Sequence, residues 1–345
     1  MKVIKITFTV LFILAITYFA GPRASFEPIA STEIRLLEGV TIQNLDNYLA
    51  RKESAIDNIR ADNQAKIIWA DSSRTKTSYA VVYLHGFSAS HEEGSPVHKD
   101  FANRYGFNLY LARLANHGLA GEESMTDMTP NGLIESAKEA VAIGQLLGDD
   151  VIVMSTSTGG TLSIYLAGAN PEMIDALVLF SPNIEIADPS ARILTGPWGL
   201  QLGKMIAGEF RASDDPTPLE DQFWTSKYRI EAIAALQKLL DETMNEEVFS
   251  AVTQPYFLGY YYKNETEKDD VVSIDAIKRF SRFTSTPEQQ IRVVEFPNVG
   301  EHVIASYIKS KDLESVKGAV FQFAEDVLQL KPQPRFVDTL VTDTL

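Results

Sequence analysis

The chain contains no cysteine, which excludes disulfides, thiolate metal sites and a cysteine nucleophile. That absence fits either side of a membrane and assigns no compartment. Basic residues are scarce, 31 Lys and Arg against 46 Asp and Glu for a formal charge of -15. Nucleic acid is therefore excluded as a partner, because phosphate binding needs clustered Lys and Arg. Histidine is scarce as well. Any imidazole chemistry must draw on His85, His91, His98, His117 or His302. Apolar runs are short, and the longest, Ile6–Ala20, falls below the roughly 20 residues of a full membrane span unless Val3 and Ile4 extend it.

That run follows Lys2 and Lys5 and stops at Gly21, Pro22 and Arg23, so residues 1–24 read as a signal peptide or a retained signal anchor. A small-x-small cleavage site is missing: a cut after Ala20 leaves Tyr18 at the third position back, and a cut after Ala24 leaves Pro22. The basic start predicts an exported or membrane-anchored protein with its main body outside the cytoplasm. Residues 25–64 read as a spacer. Within it, Ile42, Leu45, Leu49, Ile56 and Ile59 recur at helical spacing over about Thr41–Gln64.

From residue 65 to 330, short apolar runs alternate with amphipathic ones. Lys66–Ala70, Tyr79–Leu84, Asn108–Arg113, Val151–Met154, Ala176–Phe180, Pro255–Tyr262 and Ile291–Phe296 read as strands, and Gly132–Leu147, Thr158–Gly168, Ile274–Phe283 and Asp312–Leu330 as helices. Near-continuous apolar strands are those buried on both faces of a parallel sheet. The alternation predicts an α/β fold, a mainly parallel sheet flanked by helices. Residues from about 189 to 251 hold no strand-like run but several amphipathic pieces, including Tyr228–Glu242, and predict an inserted helical cap. Its aromatic residues, Trp198, Phe210, Phe223, Trp224 and Tyr228, suggest packing onto the body and an apolar substrate group. The tail 331–345 is punctuated by proline and reads as irregular.

The stretch VIVMSTSTGGTLSIYLA, Val151 to Ala167, sits where a strand meets a helix. A nucleophile at such a turn needs small residues two before and two after it, since larger side chains would strike the neighbouring strand and helix. Ser155 fails because Val153 is bulky, and Thr156 fails because Met154 and Thr158 flank it. Ser157, between Ser155 and Gly159, fits. The developing oxyanion needs two donors: the Thr158 backbone N–H supplies one, and Phe87, in the loop ending AVVYLHGFSAS, the other. A serine needs a base, and His302, directly after the last strand, returns to the carboxyl end of the sheet where the serine lies. His85 and His117 read as bracing residues. His91-Glu92-Glu93 lacks the helical i, i+4 spacing of a zinc site. No cofactor or metal is implied. An acid that orients the histidine should fall between Ser157 and His302 in the chain, and Glu265, Glu267, Asp269 and Asp270 all qualify by spacing.

Together His85-Gly86-Phe87, LARLANHGL, Met125-Thr-Asp-Met, Ser155–Gly160, the acidic loop and His302-Val303-Ile304 resemble the α/β-hydrolase superfamily. They are most similar to its bacterial carboxylesterase and monoacylglycerol-lipase branch, and the resemblance runs from about Tyr79 to Leu330. It implies an α/β-hydrolase fold and a serine hydrolase that cleaves carboxylic esters through an acyl-enzyme, acting on a small-molecule ester. The branch's Asp-x-Val-Val pattern matches Asp269 to Val272, which implies Asp269 as the acid with Asp270 as fallback. Ser155 stands where the family has glycine. Peptidase or thioesterase chemistry on the same fold, or a binding protein without catalysis, are the competing expectations.

Overall fold

The computed structural model describes residues 2–334. Seven strands form one sheet: β1 (Lys66–Ile68), β2 (Thr77–Leu84), β3 (Asn108–Leu111), β4 (Gly148–Thr156), β5 (Ala176–Phe180), and two that follow the cap. The cap carries a short antiparallel pair, β6 (Phe210–Ala212) with β7 (Lys227–Arg229). Returning to the main sheet, β8 (Tyr256–Tyr260) is followed by the hairpin β9 (Tyr262–Asn264) and β10 (Glu267–Lys268) and then by β11 (Ile291–Glu295). The main order is β1-β3-β2-β4-β5-β8-β11, parallel throughout except for β1, which runs antiparallel to β3. The strands are those expected from the sequence, with ends shifted by a few residues. The pair β6–β7 was not expected, because three-residue strands are too short to show a period.

The layers follow from the pleat. Successive residues point to opposite faces, so Ala80, Val82 and Leu84 of β2 enter one core and Val81 and Tyr83 the other. The first core is covered by α4 (Pro130–Leu147) and α5 (Thr158–Ala169), the second by α3 (Val97–Tyr105) and α11 (Leu313–Asp326). Val151–Met154 of β4 are fully buried, each contributing on the order of 1.5–3 kcal/mol of transfer free energy. The helix α3 was not among those expected from the sequence; it begins immediately after Pro96.

Between β5 and β8 lie a 3₁₀ segment, Pro189–Thr195, and four helices: α6 (Gly199–Ala207), α7 (Pro218–Phe223), α8 (Ile230–Thr243) and α9 (Glu246–Ala251). This is the interval expected as a cap. It is fastened to the body by Thr225 N–H donating to Ser88 O at 2.7 Å and by the Arg60 guanidinium donating to Asp221 O at 3.1 Å. The helix α10 (Ile274–Phe283) packs under β8 through Ile277 and Phe280.

The segment read as a spacer lies against the body. Asn170 binds it twice, accepting Ile34 N–H at 3.0 Å and donating to Thr32 O at 3.0 Å. Its helix, α2 (Leu45–Ser54), is shorter than the sequence spacing suggested. Asn58 and Asp62 adopt φ values of 60° and 62°, which no helix continues. Leu45 and Leu49 enter the core, and Glu53 pairs with Arg113 at 2.8 Å. Ahead of it, α1 (Lys2–Phe19) leaves Phe8, Phe12 and Phe19 exposed and meets the cap near its end, where Trp198 Nε1 donates to Thr17 O at 3.0 Å. Among the described residues no helix is long and apolar enough to cross a membrane, so the expectation of a spanning anchor gains no support. The tail beyond Pro334, expected to be irregular, lies outside the described residues.

Candidate active site

Ser157 stands at the junction of β4 and α5 with φ 51° and ψ −117°, a backbone region that non-glycine residues rarely occupy. Such strain persists only where the surroundings over-determine it. Here the Ser157 N–H donates to Phe180 O at 3.0 Å, and its carbonyl accepts from Asn183 N–H at 3.0 Å. Sterics enforce the same turn. A Cβ on Gly159 would lie 2.0 Å from Leu84 O, and one on Gly160 2.6 Å from Pro182 Cβ. Ser155 is fully buried at the position two before. Thr156, for which the sequence suggested no role, hydrogen-bonds the Tyr83 hydroxyl at 2.8 Å and so ties β4 to β2.

His302 lies in the loop after β11 and meets Asp269 at the end of the β9–β10 hairpin, Nδ1 to Oδ2 at 2.7 Å. The other oxygen of Asp269 accepts Val271 N–H at 2.9 Å and Val272 N–H at 3.1 Å. The remaining acids are turned elsewhere. Asp270 is exposed, Glu265 binds Tyr262 and Lys268, and Glu267 binds Lys263 and Asn264. Burial opposes ionisation of Asp269, but the imidazole and the two N–H donors outweigh it and hold its carboxyl below the usual range. For His302, burial disfavours the cation, yet Asp269, Glu93 and Asp270 overcome this and raise its pKa above 6.5. Ser181 Oγ donates to His302 O at 2.8 Å and steadies the loop.

Phe87 follows β2. Leu114 N–H donates to His85 Nε2 at 3.1 Å, so the His85 proton resides on Nδ1 and is donated to Gly86 O at 2.9 Å. Gly86 C=O and Phe87 N–H share one peptide plane and point opposite ways. Fixing the carbonyl therefore fixes the Phe87 N–H, which is how His85 shapes this loop. The His117 ring lies 5.1 Å from that of His85, tilted by 57°, and bonds Ala115 O, bracing it from behind. Thr158 is the first residue of α5, so its N–H has no partner within the helix. His91 and His98 are buried and bonded to backbone carbonyls.

Ser157, His302 and Phe87 line one cavity of about 340 Å³, together with Ile186, Trp224, Tyr228, Ile233 and Leu236. A second cavity of about 530 Å³, walled by cap residues such as Leu194, Ile206 and Ile230, shares Ile186, Tyr228, Ile233 and Val271 with it. Lys309, at the edge of the first cavity, pairs with Glu220 of α7. Among the lining residues that the sequence did not connect with the site is Glu93, buried in the turn after β2. It had been weighed only as a metal ligand, and nothing in its spacing pointed to the serine.

No family model matches the chain, and no curated protein matches it. Solved structures do. A structure of the metagenome-derived lipolytic enzymes LipS and LipT aligns with a TM-score of 0.62 at 17% identity, covering 77% of this chain and 98% of that one. The monoacylglycerol lipase of Paleococcus ferrophilus aligns at 0.55 and 14%, covering 75% and 96%. Est1E of Butyrivibrio proteoclasticus, bound to ferulic acid, aligns at 0.51 and 19%, covering 79% and 100%.

Proposed function

Proceeding from the α/β-hydrolase fold of this chain, we propose that it is a serine hydrolase that cleaves carboxylic esters through an acyl-enzyme. The observation that carries this reading is the 2.7 Å contact of His302 Nδ1 with Asp269, which leaves Nε2 to serve the strained Ser157 in the same cavity. Ser157 Oγ attacks the ester carbonyl carbon while His302 Nε2 takes its proton. Asp269 holds the tautomer and stabilises the imidazolium. The carbonyl oxygen, now anionic, is met by the N–H groups of Phe87 and Thr158. The C–O bond then breaks, and the alkoxide leaves with the proton from His302. A water molecule, deprotonated by the same histidine, hydrolyses the acyl-serine and restores the enzyme.

The substrate is an ester with an apolar acyl or alcohol group, a reading supported by the aliphatic and aromatic walls of the two adjoining cavities. Export, with the hydrolase outside the cytoplasm, is part of the proposal. It rests on the basic start and apolar run at residues 2–20 and is tested by cell fractionation with and without residues 1–24. A cytoplasmic full-length protein would refute it. For the chemistry, a fluorophosphonate probe should label the wild type and not Ser157→Ala. Labelling of neither would point to a binding protein instead, and equal labelling of both to a nucleophile other than Ser157. Faster turnover of aminoacyl amides than of p-nitrophenyl esters would replace esterase with peptidase.

A further inference from the structure

The cavity holds a carboxyl group that the proposed triad does not use. Glu93 sits in the 3₁₀ turn His91–Gly94, two per cent exposed. Gly94 lets that turn run close under β2, since a Cβ there would lie 2.4 Å from the Tyr83 ring. The Glu93 side chain is thereby directed at the loop after β2, and its Oε2 accepts Gly86 N–H at 2.5 Å. A Cβ on Gly86 would fall 2.9 Å from Glu93 Oε1 and 3.0 Å from Ser157 Cβ. Gly86 is thus held between the carboxyl group and the nucleophile, with no room for any side chain.

From this geometry we infer that Glu93 is a positioning residue of the active site, clamping Gly86 so that Phe87 N–H stays aimed at the oxyanion, and biasing the protonation of His302 from the cavity. The inference rests on the acyl-transfer reading. Gly86 is gripped on both sides, its N–H by Glu93 and its C=O by His85. The groups facing Glu93 are Tyr83 and Gly86 N–H from β2 and its loop, and His302 from the loop after β11. Its neighbour Glu92 turns away to Lys99 at 2.8 Å and to His91. Facing His302 are Asp269, Asp270 and Glu93, with Glu301 beside it in the chain.

Burial pushes the Glu93 carboxyl up to about 7, against the opposing pull of Gly86 N–H, His302 and Tyr83. It therefore exchanges its proton in the range where His302 works, and the two titrate as a pair. Ionised Glu93 favours the imidazolium, so removing its charge lowers the pKa of His302. The acid limb of kcat/KM, on which activity rises as His302 loses its proton, must then move to lower pH.

The test compares pH profiles of kcat/KM for a p-nitrophenyl ester in wild type, Glu93→Gln and Glu93→Ala. In Glu93→Gln the acid limb should fall by about one pH unit, the scale expected when one neighbouring charge is removed. Its plateau should stay within about tenfold, because the amide oxygen still accepts Gly86 N–H. In Glu93→Ala the clamp is gone, and the plateau kcat should fall by about a hundredfold, the scale of a lost oxyanion donor. An acid limb of Glu93→Gln that superimposes on wild type overturns the electrostatic role, and an unchanged plateau in Glu93→Ala overturns the clamp. Should Glu93→Gln fail to fold, the His302 ring shifts of Ser157→Ala, followed by NMR, must show a second inflection from Glu93, and a single inflection overturns the inference. A wild type that neither turns over esters nor labels with fluorophosphonate sinks the hydrolase reading itself, which keeps the two failures apart.

Discussion

Replacing Asp269 by Asn tests the proposed base through its hydrogen bonds. One carboxylate oxygen accepts two backbone donors, Val271 N–H at 2.9 Å and Val272 N–H at 3.1 Å, and the other meets His302 Nδ1 at 2.7 Å. An asparagine must keep its carbonyl oxygen on the two backbone donors, because turning its NH₂ toward them would strand both, at about 1–3 kcal/mol each. Its NH₂ then points at His302 Nδ1, which has to accept. The imidazole proton moves to Nε2, and the ring can no longer take a proton from Ser157. A wrong tautomer of this kind costs about 10⁴ in kcat, or about 5 kcal/mol of barrier. KM should change little, because Asp269 does not line the cavity. Asp270→Asn, at an exposed neighbour, should lose less than about threefold, as surface changes do. The assay is steady-state hydrolysis of a p-nitrophenyl ester, with circular dichroism to confirm folding. A folded Asp269→Asn within tenfold of wild type, or a larger loss in Asp270→Asn, would refute the tautomer argument.

Gly159→Ala places a Cβ 2.0 Å from Leu84 O, against about 3.4 Å for ordinary contact. Backbone lies on both sides, so the cost should reach about 3 kcal/mol and lower Tm by about 4–5 °C in a chain of this size. An unchanged melting curve would contradict the steric account of the turn. Glu53→Ala strands the Arg113 guanidinium, five per cent exposed in its side chain, and should cost about 3–5 kcal/mol; thermal unfolding reads this, and a Tm drop of less than about 3 °C would count against it. Because Asp269 and Glu93 hold His302 above 6.5, its imidazolium persists to higher pH, and wild-type activity should appear only as pH rises past that raised value. An acid-limb midpoint below 6.5 would contradict the sign. Ile233→Trp fills the wall shared by the two cavities and should shift preference toward shorter acyl chains across a p-nitrophenyl ester series. An unshifted preference would separate the second cavity from substrate binding.

The strands of the sheet were legible because β2, β4 and β5 are buried on both faces and so spell near-continuous apolar runs. The turn at Ser157 was legible for a local reason, since the sizes of Ser155 and Gly159 decide whether it can form. The helix limits of the leading segment were not, because Ile56 and Ile59 continue the spacing past Ser54 while Asn58 leaves the helical region. Among the acids, spacing left four candidates. Only the path of the β9–β10 hairpin turns Asp269 inward and leaves Glu265, Glu267 and Asp270 in solvent.

What the sequence determined by itself was whatever depends on neighbours in the chain: apolar periodicity, hence the α/β alternation, and the small residues around Ser157, hence the turn. The tertiary structure decided what depends on directions in space between distant segments. It joined His302 to Asp269 across 33 positions, set the Gly86–Phe87 peptide with His85 and Leu114, and brought Glu93 beside the serine. Hydrogen bonds act over about 3 Å, and only the packing of β2, β4 and the loops at their carboxyl ends brings these groups within that reach.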